Sequence, residues 1–324
     1  MIDYTCFYKN KYRPDENWAA NNRWDLLISA YNESERVQTI FRDADAIEKH
    51  WWIIPDYEYR TDEYPRVGKC FDPLSRNEAE FTQEYFEKAG LDLENLRICI
   101  DITGFMRPHL MFLLKYMWIN GIRKFDVIYT DPIQYAKKHE TTFAGDVISE
   151  VRQISGYEGD HVPDTSNDFL IIGAGYDHQL IAHVAENKAK TRKIQMFGLP
   201  SLQADMYQEN VLRANRAAEA VGEANTCFAP ANDPFVTASV LSQIVRKLNA
   251  KKAITNLYLS PLATKPQVLG FALYYLVELQ DTAASIIFPI SKKYNRETAT
   301  GLSKIWRYVV EFPEDNGISQ TSIS

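Results

Sequence analysis

The sequence predicts an α/β protein made of two Rossmann-like halves with mostly parallel sheets. Three observations carry that expectation. Short apolar runs bounded by turn residues alternate with amphipathic stretches, the pattern of strands joined by helical crossovers. The series restarts midway: DLLISAYNESERV from residue 25 is answered by DFLIIGAGYDHQL from 168, and WWIIP from 51 by IQMFG from 194, an offset of 143 both times. Finally, each half opens a long apolar segment with a basic residue and a proline, Arg107-Pro108 and Lys265-Pro266. The strand after each pair ends near another proline, at 132 and 289, so one insertion of about 15 residues reconciles the two series. This is the form an internal duplication takes, although any two α/β units share strand–helix periodicity. The expected division is residues 1–150, an N-terminal half with an aromatic arm, and residues 151–324, a C-terminal half.

In chain order, residues 25–31 read as a buried strand. The following NESERVQTIFRDADAI is a helix with Val37, Ile40 and Phe41 on one face. WWIIP is the next strand, and residues 56–76, rich in Tyr, Asp, Pro and Arg, form an excursion or lid. Residues 77–90 are an amphipathic helix stopped by glycine, 97–102 a strand, 108–121 a helix with a glycine stop, and 125–130 a strand. A polar connector with one short strand near 147–154 leads to the restart. There 168–176 is a strand, DHQLIAHVAENKAK a helix, 193–200 a strand and QENVLRANRAAEAVG a helix. After 235–250, also helical, come the strand NLYLSP, the helix PQVLGFALYYLVELQ and the strand 284–290. The polar tail after Glu314 is expected to fray.

Composition excludes several classes. With 36 Lys and Arg against 43 Asp and Glu, the net charge of −7 supplies no general field for nucleic acid or an anionic membrane. No run is apolar and long enough for a membrane span. Cys6, Cys70, Cys99 and Cys227 are scattered, with no metal or redox spacing, and predict free thiols in a cytoplasmic protein. His178 and His183 are poorly spaced to share a metal. No G-x-S-x-G, H-E-x-x-H or Walker motif occurs, so neither a metal nor a tightly held cofactor is expected.

The chemistry is therefore sought at strand ends, where open α/β sheets bind ligands. In DITGFMRP, Thr103 and Gly104 allow a turn whose amides can converge on an anion. Pro108 suits a helix start, and Arg107 adds a charge to the positive end of the helix. In SPLATKP, Thr264 and Lys265 hold the corresponding places, without the aspartate and glycine. Gly173 and Gly175 of GAGYDHQ stand between a strand and a helix but lack the third glycine of a dinucleotide fingerprint. Asp101, ending its strand beside the turn, is the candidate general base or a buried cap. Tyr129 and Asp131 end the next strand and are candidates to line the same pocket.

The stretch CIDITGFMRPHLMFLLKYM resembles the strand-turn-helix of CARF-type Rossmann-like sensor domains, with Asp101, Thr103, Gly104 and Arg107 in the matching places. The resemblance covers roughly twenty residues and departs from the pattern at Phe105 and Met106. It implies a nucleotide ligand, a homodimer or protein partner, and a role in antiviral defence. The leading expectation is a protein that binds a small phosphorylated ligand between its halves and acts as a sensor or subunit of a complex. Two alternatives stand beside it. One is an enzyme acting on a nucleotide or sugar phosphate, with Asp101 as base and 56–76 as lid. The other is a structural partner subunit without ligand.

Overall fold

The computed structural model describes all residues except 1, 5, 6, 21, 136–147, 204, 205, 292, 293, 295, 297, 298 and 314–324. The first half runs through β1 (Lys9–Tyr12), β2 (Arg23–Ala30), α1 (Glu35–Asp43), β3 (Asp45–Trp52), β4 (Lys69–Phe71), α2 (Glu78–Ala89), β5 (Ile98–Asp101), α3 (Arg107–Ile119) and β6 (Lys124–Asp131). Two linking strands follow, β7 (Gln134–Tyr135) and β8 (Ile148–Gln153). The second half is β9 (Phe169–Gly173), α4 (His178–Asn187), β10 (Arg192–Gly198), α5 (Met206–Asn215), α6 (Ala218–Val221), β11 (Ala224–Ala229), α7 (Pro234–Lys251), β12 (Leu257–Pro261), α8 (Lys265–Tyr274) and β13 (Ala284–Ser291). The last strands are β14 (Ala299–Thr300), paired with β7, and β15 (Lys304–Glu311).

The two large sheets repeat one topology. Five parallel strands run β6-β5-β2-β3-β4 in the first and β13-β12-β9-β10-β11 in the second. Each sheet then gains an antiparallel neighbour on its last parallel strand, β15 on β6 and β8 on β13. The fold class is thus the expected one. The sheets do not follow the chain division at residue 150, because β15 returns to the first sheet and β1 pairs on its far side.

Burial explains the strand sequences. Every residue of β5 and β9 is buried, as expected of parallel strands covered on both faces by helices. On the first sheet, α1 packs in a cluster with Trp24, Leu27 and Trp51, while α2 and α3 belong to the main core. That main core also contains the second sheet and α8. Helix α3 packs directly on α8, so the halves share one interior and are not joined merely by a linker.

Several elements differ from expectation. The excursion 56–76 contributes β4, which adds to the edge of the first sheet. β3 begins six residues before WWIIP because Asp45–Lys49 pair with β2 despite their polarity. The segments that form β1, β11 and β15 carried no strand expectation. The predicted strand near 147–154 is β8, with residue 147 outside the described part, as is the tail after Glu314.

Candidate functional site

In each half the strand order reverses between the first and fourth parallel strands, β2/β5 and β9/β12. The cavity lies at the carboxyl ends of these strands. Its walls include Ser34, Met106 and Thr264, the residues that precede α1, α3 and α8, so three helix N-termini bring unpaired amides and partial positive charge to one place. The cavity measures about 120 Å3. That is the scale of an engineered cavity of ~150 Å3 that accepts benzene, so it takes a phosphate-sized group or a single ring without rearrangement.

The two cation–proline starts meet here, and they meet reciprocally. Arg107, opening α3, donates from Nε at 3.2 Å and from Nη2 at 2.9 Å to the Ala263 carbonyl, in the turn before α8. Lys265, opening α8, donates from Nζ at 2.7 Å to the Thr103 carbonyl, in the turn before α3. Each half thus sends a cation into the turn of the other. The sequence reading expected both cations to meet one ligand; in the structure each clasps the backbone of the opposite turn.

A third cation, Arg36 at the start of α1, donates from Nη1 to the Thr130 carbonyl at 2.8 Å, while its Nε has no partner. Arg296 completes the set. Among the described residues, four cationic side chains and no carboxylate line the cavity, in a chain whose net charge is −7. The electrostatic consequence appears on Lys265. Burial, then the positive charges of Arg107 and Arg36, push its ammonium down to about 7, with Asp101 opposing. Arg107 is also lowered by burial, against nearby tyrosines and Asp177.

Thr103, Gly104, Arg107, Tyr129, Gly175, Thr264 and Lys265 all line the cavity; Asp101, Asp131 and Gly173 do not. Asp101 is fully buried and holds the turn: its carboxylate accepts from Ser29 Oγ at 3.0 Å and from the Thr103 amide at 3.0 Å. Burial raises its carboxyl, opposed by the Thr103 and Ser29 bonds and the Lys265 charge. Asp131 accepts from Trp306 Nε1 at 3.0 Å, and burial pushes it up to about 6. Gly173 sits inside the sheet beside Pro261, with the Phe271 ring over it.

The glycines serve close backbone approach. A Cβ on Gly104 would lie 2.1 Å from the Ala30 carbonyl oxygen, and one on Gly175 would lie 2.1 Å from that of Leu262. Thr103 Oγ1 bonds the Thr130 amide and hydroxyl, and Thr264 Oγ1 accepts from the Gln267 amide as the cap of α8.

Sequence reasoning missed Arg36, Tyr57, Asn210, Tyr294 and Arg296. Arg36 belongs to the NESERVQTIFRDADAI helix, which was read only for its apolar face. Tyr57 comes from the excursion and donates its hydroxyl to the Gly104 carbonyl at 3.1 Å. Arg296 holds that excursion down: it donates to the Tyr57 carbonyl at 2.6 Å, pairs with Glu63 at 3.0 Å, bonds the Glu58 carbonyl and lies 4.1 Å over the Tyr59 ring. No local pattern announces such a residue.

No protein-family model matches the chain, and no curated protein matches it. Among solved structures, a ketoreductase domain from the bacillaene assembly line is similar at 12% identity over 83% of this chain and 67% of that one, with a TM-score of 0.20. A likeness that loose carries no argument about function. No group of three or more metal-ligating side chains occurs among the described residues, and none of their helices is long and apolar enough to cross a membrane.

Proposed function

We propose that the cavity binds a phosphorylated small molecule, a nucleotide or a sugar phosphate, between the two halves. The observation that carries this reading is the sign of the lining: Arg36, Arg107, Lys265 and Arg296 face a cavity that no described carboxylate lines, although Arg296 also pairs with Glu63 beside it. Bringing cations together under partial burial is costly unless an anion joins them. Three helix N-termini at the same place favour that anion further. The reciprocal clasp supports a sensor over a mere binding protein. An anion that draws Arg107 and Lys265 from the Ala263 and Thr103 carbonyls changes the contact between α3 and α8, and hence between the halves. The CARF resemblance, and the defence role it implies, belong to this proposal and rest on the same turn.

A second reading, an enzyme acting on the same ligand class, has one specific support. Lys265, lowered to about 7, is partly unprotonated near neutral pH, as a general base has to be, whereas Asp101 faces Ser29 and Thr103. Thermal unfolding with and without ribose 5-phosphate, in the wild type and in Lys265→Met and Arg36→Gln, tests the proposal. Ligand at about 100 times its dissociation constant stabilises by roughly 2.7 kcal/mol, and both substitutions should remove most of that shift. Stabilisation that survives both substitutions would place the anion elsewhere. Loss of ribose 5-phosphate during incubation would favour the enzyme.

A further inference from the structure

The cavity is chemically divided. The first half supplies Arg36 and Arg107, and Lys265 of the second half reaches back to that side through the Thr103 carbonyl. Apart from Arg296, the rest of the second half's wall is neutral. It includes Ala174, Gly175 and Gly198 at the ends of β9 and β10, Leu202, and Met206 with Asn210 from the start of α5. An inorganic anion or a bare sugar phosphate has no use for such a wall.

Asn210 gives the wall its polarity. The side chain is more than nine-tenths buried. Its Nδ2 donates to the Ala174 carbonyl at 3.0 Å, which fixes the orientation of the amide, and its Oδ1 has no partner. A buried acceptor left unpaired is uncommon and calls for a donor. The glycines at both strand ends admit close neighbours, the Leu262 carbonyl at Gly175 and the Ala231 methyl at Gly198, so this part of the wall is built of backbone and small groups. The Met206 thioether, at the same wall, is suited to an aromatic face.

We propose that this wall seats a nitrogenous heteroaromatic ring whose N–H or amino group donates to Asn210 Oδ1, so that the ligand is a nucleotide and not a sugar phosphate. This rests on the anion reading above and extends it to the other end of the ligand. Asparagine is the side chain whose amide matches the donor–acceptor edge of adenine, and with Nδ2 committed to Ala174 the free function here is the acceptor. A cavity of about 120 Å3 takes only part of a nucleotide at rest.

The test compares three ligands by titration calorimetry: ribose 5-phosphate, adenosine 5′-monophosphate, and purine riboside 5′-monophosphate, which keeps the ring and lacks the amino group. The expected order is adenosine monophosphate at least tenfold tighter than either of the others. In Asn210→Leu that advantage should vanish while ribose 5-phosphate binds as in the wild type, which also shows that the variant is folded. Equal affinity for all three, lost in Lys265→Met, would overturn the ring subsite and leave the anion site standing. Adenosine monophosphate binding tighter but unaffected by Asn210→Leu would likewise overturn it. Binding of none of the three would overturn both readings.

Discussion

Raising the pH from 7 to 9 should weaken phosphate binding through a single side chain, Lys265. Burial and the charges of Arg107 and Arg36 hold its ammonium at about 7 in the free protein, well below the ~10.4 of a free lysine. A bound phosphate brings the missing negative charge and raises it again, so binding takes up a proton. If only the ammonium form binds, half the protein is competent at pH 7, about one eleventh at pH 8 and about one hundredth at pH 9. The dissociation constant for ribose 5-phosphate should therefore rise about fivefold between pH 7 and 8 and about fiftyfold between 7 and 9. Ligand titration contributes little, because the second phosphate ionisation, near ~6, is about nine-tenths complete at pH 7 and essentially complete above it. Calorimetry at pH 7 in buffers of different ionisation enthalpy should show uptake of about half a proton. In Lys265→Arg the guanidinium stays charged throughout, and the profile should flatten. A flat profile in the wild type, or one equally steep in Lys265→Arg, would refute the reasoning.

Further outcomes follow from the same geometry. Gly104→Ala and Gly175→Ala each place a methyl 2.1 Å from a backbone oxygen; both should lose about 1–3 kcal/mol of stability in urea, and a neutral result in either would show that the strand ends separate easily. Arg152 makes two bonds to the fully buried Glu78, at 2.8 and 2.6 Å. Arg152→Met leaves that buried carboxylate without its counter-charge, held only by the Ser155 amide, and should cost about 3–5 kcal/mol. Burial alone would raise the Glu78 carboxyl, but the Arg152 bonds and the Ser155 amide bring it down to about 2. A carboxyl lowered on folding stabilises above its unfolded value and loses that contribution as the pH falls toward the folded one. Acid unfolding between about pH 4.5 and 2 should accordingly flatten in Glu78→Gln. Arg296→Ala should open residues 56–63 to limited proteolysis at a concentration of protease that leaves the wild type intact; unchanged cleavage would mean that the excursion is held by other contacts.

The sheet architecture was legible because its signal is local. Runs such as ICID and FLIIG are buried on both faces and read as strands without context, and the restart at residue 168 gave the repeated order. The cation–proline starts were legible for the same reason, since Pro108 and Pro266 mark helix starts by their own chemistry. What the local pattern could not show was the destination of Arg107 and Lys265, each of which bonds a carbonyl about 160 residues away in sequence. β15 had to be recognised by its partner, β6, across a whole half. Polar pairing defeated the reading of β3, where Asp45, Glu48 and Lys49 lie on the sheet's half-exposed end. Asp101 was read as base or cap on equal terms; only the Ser29 and Thr103 contacts show what its oxygens face.

The claim that the molecule gathers an anion between its halves is tested most directly by crystals soaked in tungstate, a phosphate-shaped dianion visible by its anomalous scattering. The account predicts a peak in the cavity within hydrogen-bond reach of Lys265 Nζ and Arg36. Peaks confined to surface lysines and arginines, with the cavity empty at saturating tungstate, would contradict it.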